Sequence, residues 1–290
     1  MFERRSYLLN LTGRVPTMRT MQEIVDILAR YRYNEFRPFV ERELPEGLDF
    51  GRLAAYCEMQ GIEMVRTTRF DFEELFIRAD HAIVSTEAER SLAGRVEDMR
   101  EQMIRVEAQG RARRARGFLV TDFGDECNWQ PLAISLPGII MGGNFASGGA
   151  KSSMMDLEKE LDRVMDAPLG GLLLRLGTLY LRGGAIREHC SELFNILSHD
   201  VGYSRHPGLT QFVLDDISGV SRGVRIAAER WIDRSDWAKE IAYAANLLDC
   251  ACHRRNEAML RELRDEHGHV WRMRFLPDGR VESLARLPRF

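Results

Sequence analysis

Residues 116–151, RGFLVTDFGDECNWQPLAISLPGIIMGGNFASGGAK, join a short apolar run to a polar, acid-rich turn and then to a glycine-rich turn. Phe118, Leu119 and Val120 are β-forming and apolar at successive positions, the pattern of a strand buried on both faces, and Gly117 marks its start. The run gives way to Asp122, Asp125, Glu126, Asn128, Trp129 and Gln130. In parallel α/β proteins, ligand loops sit at the carboxyl ends of strands, where burial holds the backbone and polar side chains are delivered. An ordinary acidic surface turn has the same composition, so both readings stand at this point.

Upstream, the pattern recurs. Apolar runs at 7–11, 33–40, 62–65 and 81–85 predict four more strands. Each is followed by polar residues: Asn10 and Thr12, then Glu41 and Glu43, then Arg66, Thr67, Thr68 and Arg69, then Thr86 and Glu87. Apolar spacing of the 3.6 type predicts helices over 20–30, where Thr20 and Glu23 have capping-box spacing, over 50–60, closed by Gly61, and over 89–109. The first strand-to-strand steps are roughly 28 residues, the size of a βα unit. Alternation of this kind implies a parallel sheet with right-handed crossovers.

Beyond Lys151 the periodicity is helical only, over 154–165, 172–181, 185–197, 209–217, 220–232 and 237–264, with an irregular or β-like tail at 270–290. The fold class is therefore α/β. Residues 1–150 are expected to form a domain with about five parallel strands, and residues 151–290 an α-helical domain.

The 290 residues, 44% of them hydrophobic, suffice for one large domain or two modest ones. Lys plus Arg is 41 and Asp plus Glu 44, for a formal charge of −3, which argues against a nucleic-acid binder. The arginines at 111, 113, 114 and 116 cluster where a helix is expected to end, where cations suit the negative end of its dipole. Cys57, Cys127, Cys190, Cys250 and Cys252 form no CxxC pair and no even framework, so a reducing, cytoplasmic location is expected. The opening MFERRSYLLNLTGR carries no apolar signal core and no run approaches ~18 apolar residues, so neither export nor a membrane partner is expected.

Several stretches resemble a known family. The segment opening at Tyr7, YLLNLTGRVPTM, with Glu23 and the following IVDILA, the Ala93-Gly94-Arg95 run, Gly117 and the following FLVTDFGD, then Trp129-Gln130-Pro131-Leu132 and Pro137-Gly138, are similar to pieces of bacterial glycoside hydrolase family 20, the β-N-acetylhexosaminidases. The tail from Trp271, WRMRFLPDGRVES, resembles the end of the helical region that follows the catalytic barrel in some of those proteins. The resemblance implies a (β/α)₈ barrel, a fold of about 250 residues. Residues 1–150 have room for five strands at roughly 30 residues per unit, and the resemblance places them as the first three and the last two, with the middle of the barrel missing.

That gap removes the family's chemistry. Family members are expected to use an adjacent Asp-Glu pair on the fourth strand, the Glu as general acid and the Asp orienting the substrate's own acetamido nucleophile. No counterpart occurs between Arg66 and His81. Asp125 and Glu126 are an Asp-Glu pair, the nominal catalytic candidates, but they lie on the stretch matching the last strand, where the family uses Asp and Trp for sugar contacts. The family's aromatic after Gly142-Gly143 is replaced by Ala146-Ser147-Gly148. The implied ligand is a carbohydrate or sugar-like small molecule, contacted by Asp122, Asp125, Trp129 and Gln130.

Read from their positions after strands, Glu41, Glu43, Glu87, Asp122, Asp125 and Glu126 are expected to gather at one end of the sheet, with Arg66 and Arg69 on the same rim. Such carboxylates can supply acid/base chemistry or simply pair with guanidinium groups. His267-Gly268-His269 and Cys250-Ala251-Cys252-His253 have no second half with zinc spacing, so no metal is expected. Residues 143–152, GNFASGGAKS, miss the phosphate-loop spacing, and GxSxG and HExxH are absent, so no cofactor is expected. The reading is a divergent, shortened glycoside-hydrolase-like pseudoenzyme that binds a glycan or serves in assembly; an active enzyme using the carboxylate cluster is the alternative. Five strands cannot close a barrel, so a second copy, a partner protein or the helical part is expected to cover the open edges.

Overall fold

The apolar runs become strands, of which Glu35–Phe39 and Gly117–Asp122 are buried throughout. β1 (Arg4–Asn10), β2 (Glu35–Phe39), β3 (Glu63–Met64), β4 (His81–Ser85) and β5 (Gly117–Asp122) form one parallel sheet in the order β3-β2-β1-β5-β4. The computed structural model of the chain describes residues 1–41, 46–78, 80–124, 126–148, 154–183, 186–187, 190–198, 207–253 and 256–288. Central β1 sets Tyr7 level with Phe36 on one side and Val120 on the other. Pro38 is tolerated inside β2 because its missing N–H faces the edge strand β3, in the gap between the β3 ladder, which ends at Met64, and the bridge from Phe39 to Thr67.

The connecting helices are α1 (Met18–Arg30), α2 (Phe50–Met59), α3 (Arg69–Arg78) and α4 (Val96–Ala112). Thr17, not Thr20, caps α1: its hydroxyl accepts from the Thr20 amide, and Thr20 is buried in the first turn. Helix α3 was absent from the sequence reading, although Thr68 and Asp71 form a reciprocal cap, with the Thr68 amide 2.8 Å from the Asp71 carboxylate and the Asp71 amide 3.4 Å from the Thr68 hydroxyl. The helix expected over 89–109 starts only at Val96, because Glu87, Arg90 and Leu92 adopt left-handed backbone in the preceding loop.

Strand order dictates where these helices lie. Steps β1 to β2, β2 to β3 and β4 to β5 all run in one direction across the sheet, so right-handed crossovers put α1, α2 and α4 on one face. The step from β3 to β4 runs back across the whole sheet, and the same handedness sends α3 to the opposite face. The packing agrees. Tyr7, Leu9, Phe36, Val84, Phe118 and Val120 join Met21, Leu28, Leu53 and Met103 in the main core, whereas Leu8, Phe39 and Leu119 meet Phe72 and Leu75 of α3.

After β5, a 3₁₀ turn (Leu132–Ser135) leads into α5 (Leu136–Ala146), which replaces the expected glycine-rich turn. Its glycines permit close approach: a Cβ at Gly142 would stand 2.3 Å from Val120, and one at Gly143 would stand 2.4 Å from the Tyr31 carbonyl. The remaining elements are α6 (Met154–Met165), α7 (Gly170–Leu176), a 3₁₀ turn (Leu179–Gly183), the antiparallel pair β6 (Ile186–Arg187) and β7 (Cys190–Ser191), α8 (Glu192–Ser198), α9 (Gln211–Glu229), α10 (Asp236–Cys252), α11 (Glu257–Arg274) and α12 (Arg280–Arg286). The two helices expected between 209 and 232 are the single α9, and the one expected over 237–264 divides into α10 and α11, where Asn256 caps the second. The tail is helical in α12, and its extended part is one bridge from Phe275 to Pro16.

The main buried cluster is continuous from the sheet through α5 into α10 and α11. The halves are also joined by charge. Arg274 of α11 binds Glu240 of α10 and Glu23 of α1, each at 2.5 Å, and Glu240 accepts from the Ala133 amide at 2.7 Å. The boundary expected near residue 150 falls outside the described residues. Among the described residues no single helix is long and apolar enough to cross a membrane.

Candidate binding site at the carboxyl ends of the strands

The pleat decides which residues reach the site. Side chains alternate between faces, so Leu8 and Asn10 on β1, Phe39 and Glu41 from β2, and Leu119 and Phe123 from β5 share the face that α3 covers. At its upper end, Asn10, Thr12, Phe39, Glu41 and Phe123, with Arg69, Phe72 and Glu73 of α3, line a cavity of about 730 Å³. Phe123 packs edge-on against Phe39 and Phe72, with ring centroids 5.4 and 5.3 Å away. This cavity lies at the carboxyl ends of β1, β2 and β5 under α3, the end of the sheet where open α/β proteins form ligand crevices.

A second cavity, of about 550 Å³, adjoins the first, sharing Asn10, Thr12 and Phe123. Its remaining lining is polar, including Glu89, Arg90, Glu126, Asn128 and Arg286. The pair forms a cleft with an aromatic compartment and a charged one, each of small-molecule size. The charged walls are conformationally demanding. Arg90 (φ 46°) and Asn128 (φ 56°) are left-handed non-glycine residues, and Gly13 (φ 72°) and Gly124 (φ 67°) share that region. The Arg90 carbonyl is anchored by the Ser191 amide at 2.8 Å. Left-handed backbone costs a non-glycine residue on the order of 1 kcal/mol and persists where the surroundings enforce it.

Five of the expected contact residues, Asp122, Glu87, Gln130, Trp129 and Arg66, line neither cavity. Asp122 falls on the other side of the pleat, with Phe118 and Val120; it is buried, accepts from the Tyr7 hydroxyl at 2.8 Å and from the Gly124 amide at 3.2 Å. Burial, and then the Asp122 charge, push the Tyr7 phenol well above its ordinary pKa, which keeps it a donor. Glu87 is buried with Arg95, 3.3 Å away, and accepts from Gln102 at 2.5 Å. It thus takes the arginine-paired role, with Arg95 rather than Arg66 or Arg69. Gln130 is buried, and its carbonyl accepts from Arg14. Trp129 is buried against Phe194, and its Nε1 donates to the Ser283 carbonyl at 3.1 Å, so it fastens α12 to the turn after β5 rather than stacking on a ligand.

That fastening continues inward. The Ser283 hydroxyl donates to the Cys127 carbonyl at 2.7 Å, His267 Nε2 lies 3.0 Å from the same hydroxyl, and Tyr243 contacts His267 Nδ1 at 2.7 Å. One tautomer satisfies all three: Tyr243 donates to Nδ1, and Nε2–H donates to Ser283. Burial, then Arg14 and Arg264, pull His267 down to about 4, so the ring is neutral. His269, two residues on along the helix, is exposed, so the His-Gly-His pair does not converge. Among the described residues, no three His, Cys, Asp or Glu side chains are placed to hold a metal ion.

Of the remaining candidates, Glu41 and Arg69 line the aromatic compartment and Glu126 the charged one, where it pairs with Arg90. Arg69 pairs with Glu73 at 3.1 Å, and Arg66 is exposed and lines neither cavity. Glu43 and Asp125 lie outside the described residues. Sequence reasoning missed Phe39, Phe72, Phe123, Arg90 and Arg286, and placed Asn128 in the loop after β5 without giving it a contact. Strand parity would have found Phe39 and Phe123, and the cap at Thr68 would have revealed α3 and Phe72; nothing local marks Arg286, which arrives from the far end of the chain.

Fold and site together define an open parallel α/β protein with an amphipathic small-molecule cleft at the carboxyl ends of its strands. The chain matches no family model and no curated protein.

Proposed function

We propose that this chain is a divergent, shortened protein of the family-20 glycoside hydrolase type that binds a carbohydrate-like ligand in the cleft and lacks hexosaminidase activity. The observation that carries the reading is the strand order. Removing strands four to six from an eight-stranded (β/α) barrel leaves the order 3-2-1-8-7, and the sheet runs β3-β2-β1-β5-β4. The motifs that resemble the family fall on β1, α1, β5 and the turn after it. The cleft lies at the carboxyl ends, and its edge-packed phenylalanines supply the apolar surface that sugar rings use.

In this reading α3 plugs the inner face that the missing strands would have enclosed. The site keeps a binding surface without the family's paired acid and orienting Asp. Cytoplasmic residence is part of the proposal, supported by five cysteines that form no disulfide. So is self-association or a partner protein along the edges β3 and β4, which sedimentation tests: a monomer at high concentration removes it.

A second reading, an acid/base enzyme, is favoured by one feature: Glu41 and Glu73 both border the aromatic compartment. Two assays separate them. Titration with N-acetylglucosamine and its β-1,4 dimer, followed by NMR, is expected to give saturable shifts that Phe123→Ala weakens, with no turnover of an aryl β-N-acetylglucosaminide. Turnover abolished by Glu73→Gln or Glu126→Gln would replace the binder with the enzyme. Absence of both binding and turnover would sink both carbohydrate readings.

A further inference from the structure

We propose that the charged compartment is an anion subsite, so that the ligand of the cleft carries a carboxylate or phosphate group beside a ring that lies on the phenylalanines; this rests on the carbohydrate-type reading above. Two guanidinium groups approach the compartment from opposite ends of the chain, Arg90 from the loop after β4 and Arg286 from α12. Both are exposed, so neither is needed to fill the core. Arg286 forms no ion pair or side-chain hydrogen bond with any described residue, whereas arginines outside the cleft such as Arg95, Arg222, Arg225 and Arg274 are engaged by carboxylates.

Arg90 is held by its backbone and not by its side chain. Its left-handed conformation and the hydrogen bond from the Ser191 amide to its carbonyl aim it into the compartment. Its side chain meets Glu126, an exposed partner on the opposite wall. A pair this exposed contributes little, so a ligand carboxylate or phosphate can take the place of Glu126 on Arg90 while also engaging Arg286. Thr12, shared by the two compartments, and Asn128 of the charged one supply neutral hydrogen-bonding groups, while the Asn10 side-chain amide accepts from the Thr12 amide and donates to the Phe123 carbonyl. Glu89 and Glu126, which also line the compartment, balance the guanidinium charges when no ligand is bound, and the displaced Glu126 is free to swing to solvent.

Three probes test this by calorimetry at low salt: N-acetylglucosamine, its 6-phosphate, and glucuronate. At least one acidic probe is expected to bind ten-fold or more tightly than the neutral sugar, an advantage that shrinks with added salt; whichever acid gains more identifies phosphate or carboxylate as the group. Arg286→Gln and Arg90→Gln are each expected to lower affinity for that acid by roughly ten-fold, a larger loss than either causes for the neutral sugar. Glu126→Gln is expected to raise acid affinity about two- to five-fold by freeing Arg90. Equal binding of all three probes, or indifference of acid binding to both arginine variants, overturns the anion subsite and leaves the carbohydrate cleft standing. Binding of none of them removes the carbohydrate cleft and the subsite together. Acid affinity lowered by Glu126→Gln overturns the displacement step.

Discussion

Phe123 and Asp122 are neighbours in sequence with opposite fates, because a strand turns successive side chains to opposite faces. Asp122 enters the main core and holds Tyr7; Phe123 enters the cleft. Removing the Asp122 charge by Asp122→Asn is therefore expected to destabilise the fold by about 1–3 kcal/mol, as a buried acceptor is weakened, with little change in ligand affinity per folded molecule. Urea denaturation alongside titration separates the two effects. His267 makes a pH prediction. Its folded value, near 4, lies below its ordinary 6.5, so between those values the unfolded chain binds the additional proton. Stability is then complete above about pH 6.5 and falls as pH drops toward 4, by about 3 kcal/mol from this one ring. A His267→Gln variant should be less stable at pH 7 and show a shallower loss on acidification. An unchanged slope would remove His267 as its source.

At the scale of elements, α5 and α9 treat glycine oppositely. Intrinsic propensity favours alanine over glycine in any helix interior by about 1 kcal/mol. In α5 that gain is overridden, since Cβ atoms at Gly142 and Gly143 would press into Val120 and Tyr31. Gly142→Ala and Gly143→Ala are expected to destabilise by about 1–3 kcal/mol each. In α9, Gly219 and Gly223 have open space around the same position, and Gly219→Ala or Gly223→Ala should stabilise by about 0.5–1 kcal/mol. Thermal melts of the four variants check the contrast. The glycines of residues 138–143 read as a turn because local propensity is all a sequence window contains; the tyrosines that require them come from the segment before β2. Helix α3 was missed for another reason. Its periodicity is weak, since it crosses a partly open sheet face, yet its cap was legible at Thr68 and Asp71.

For the whole molecule, the buried network of Arg274, Glu240 and Glu23 and the shared core tie the helical half to the sheet. Arg274→Met leaves Glu240 buried without its partner and is expected to cost about 3–5 kcal/mol. Unfolding of the intact chain should be one cooperative transition by far-UV and by tryptophan signals, because no described plane of weak contact divides the halves. Two resolved transitions would restore a two-domain chain.

The five strands, their parallel arrangement and the helical character of the second half were written in the sequence, because burial on both faces forces continuous apolar runs and helices force a 3.6-residue period. The polar ends of the strands marked the end of the sheet where the two cavities lie. Which side chains meet there was decided by tertiary structure alone. A shift of one residue reverses a strand's face, which removed Asp122 from the cleft and put Phe123 in it. The charged wall needed residues as distant as Arg90 and Arg286, brought together only because α12 is pinned to the turn after β5 by Trp129, Ser283 and His267, contacts that no sequence window spans.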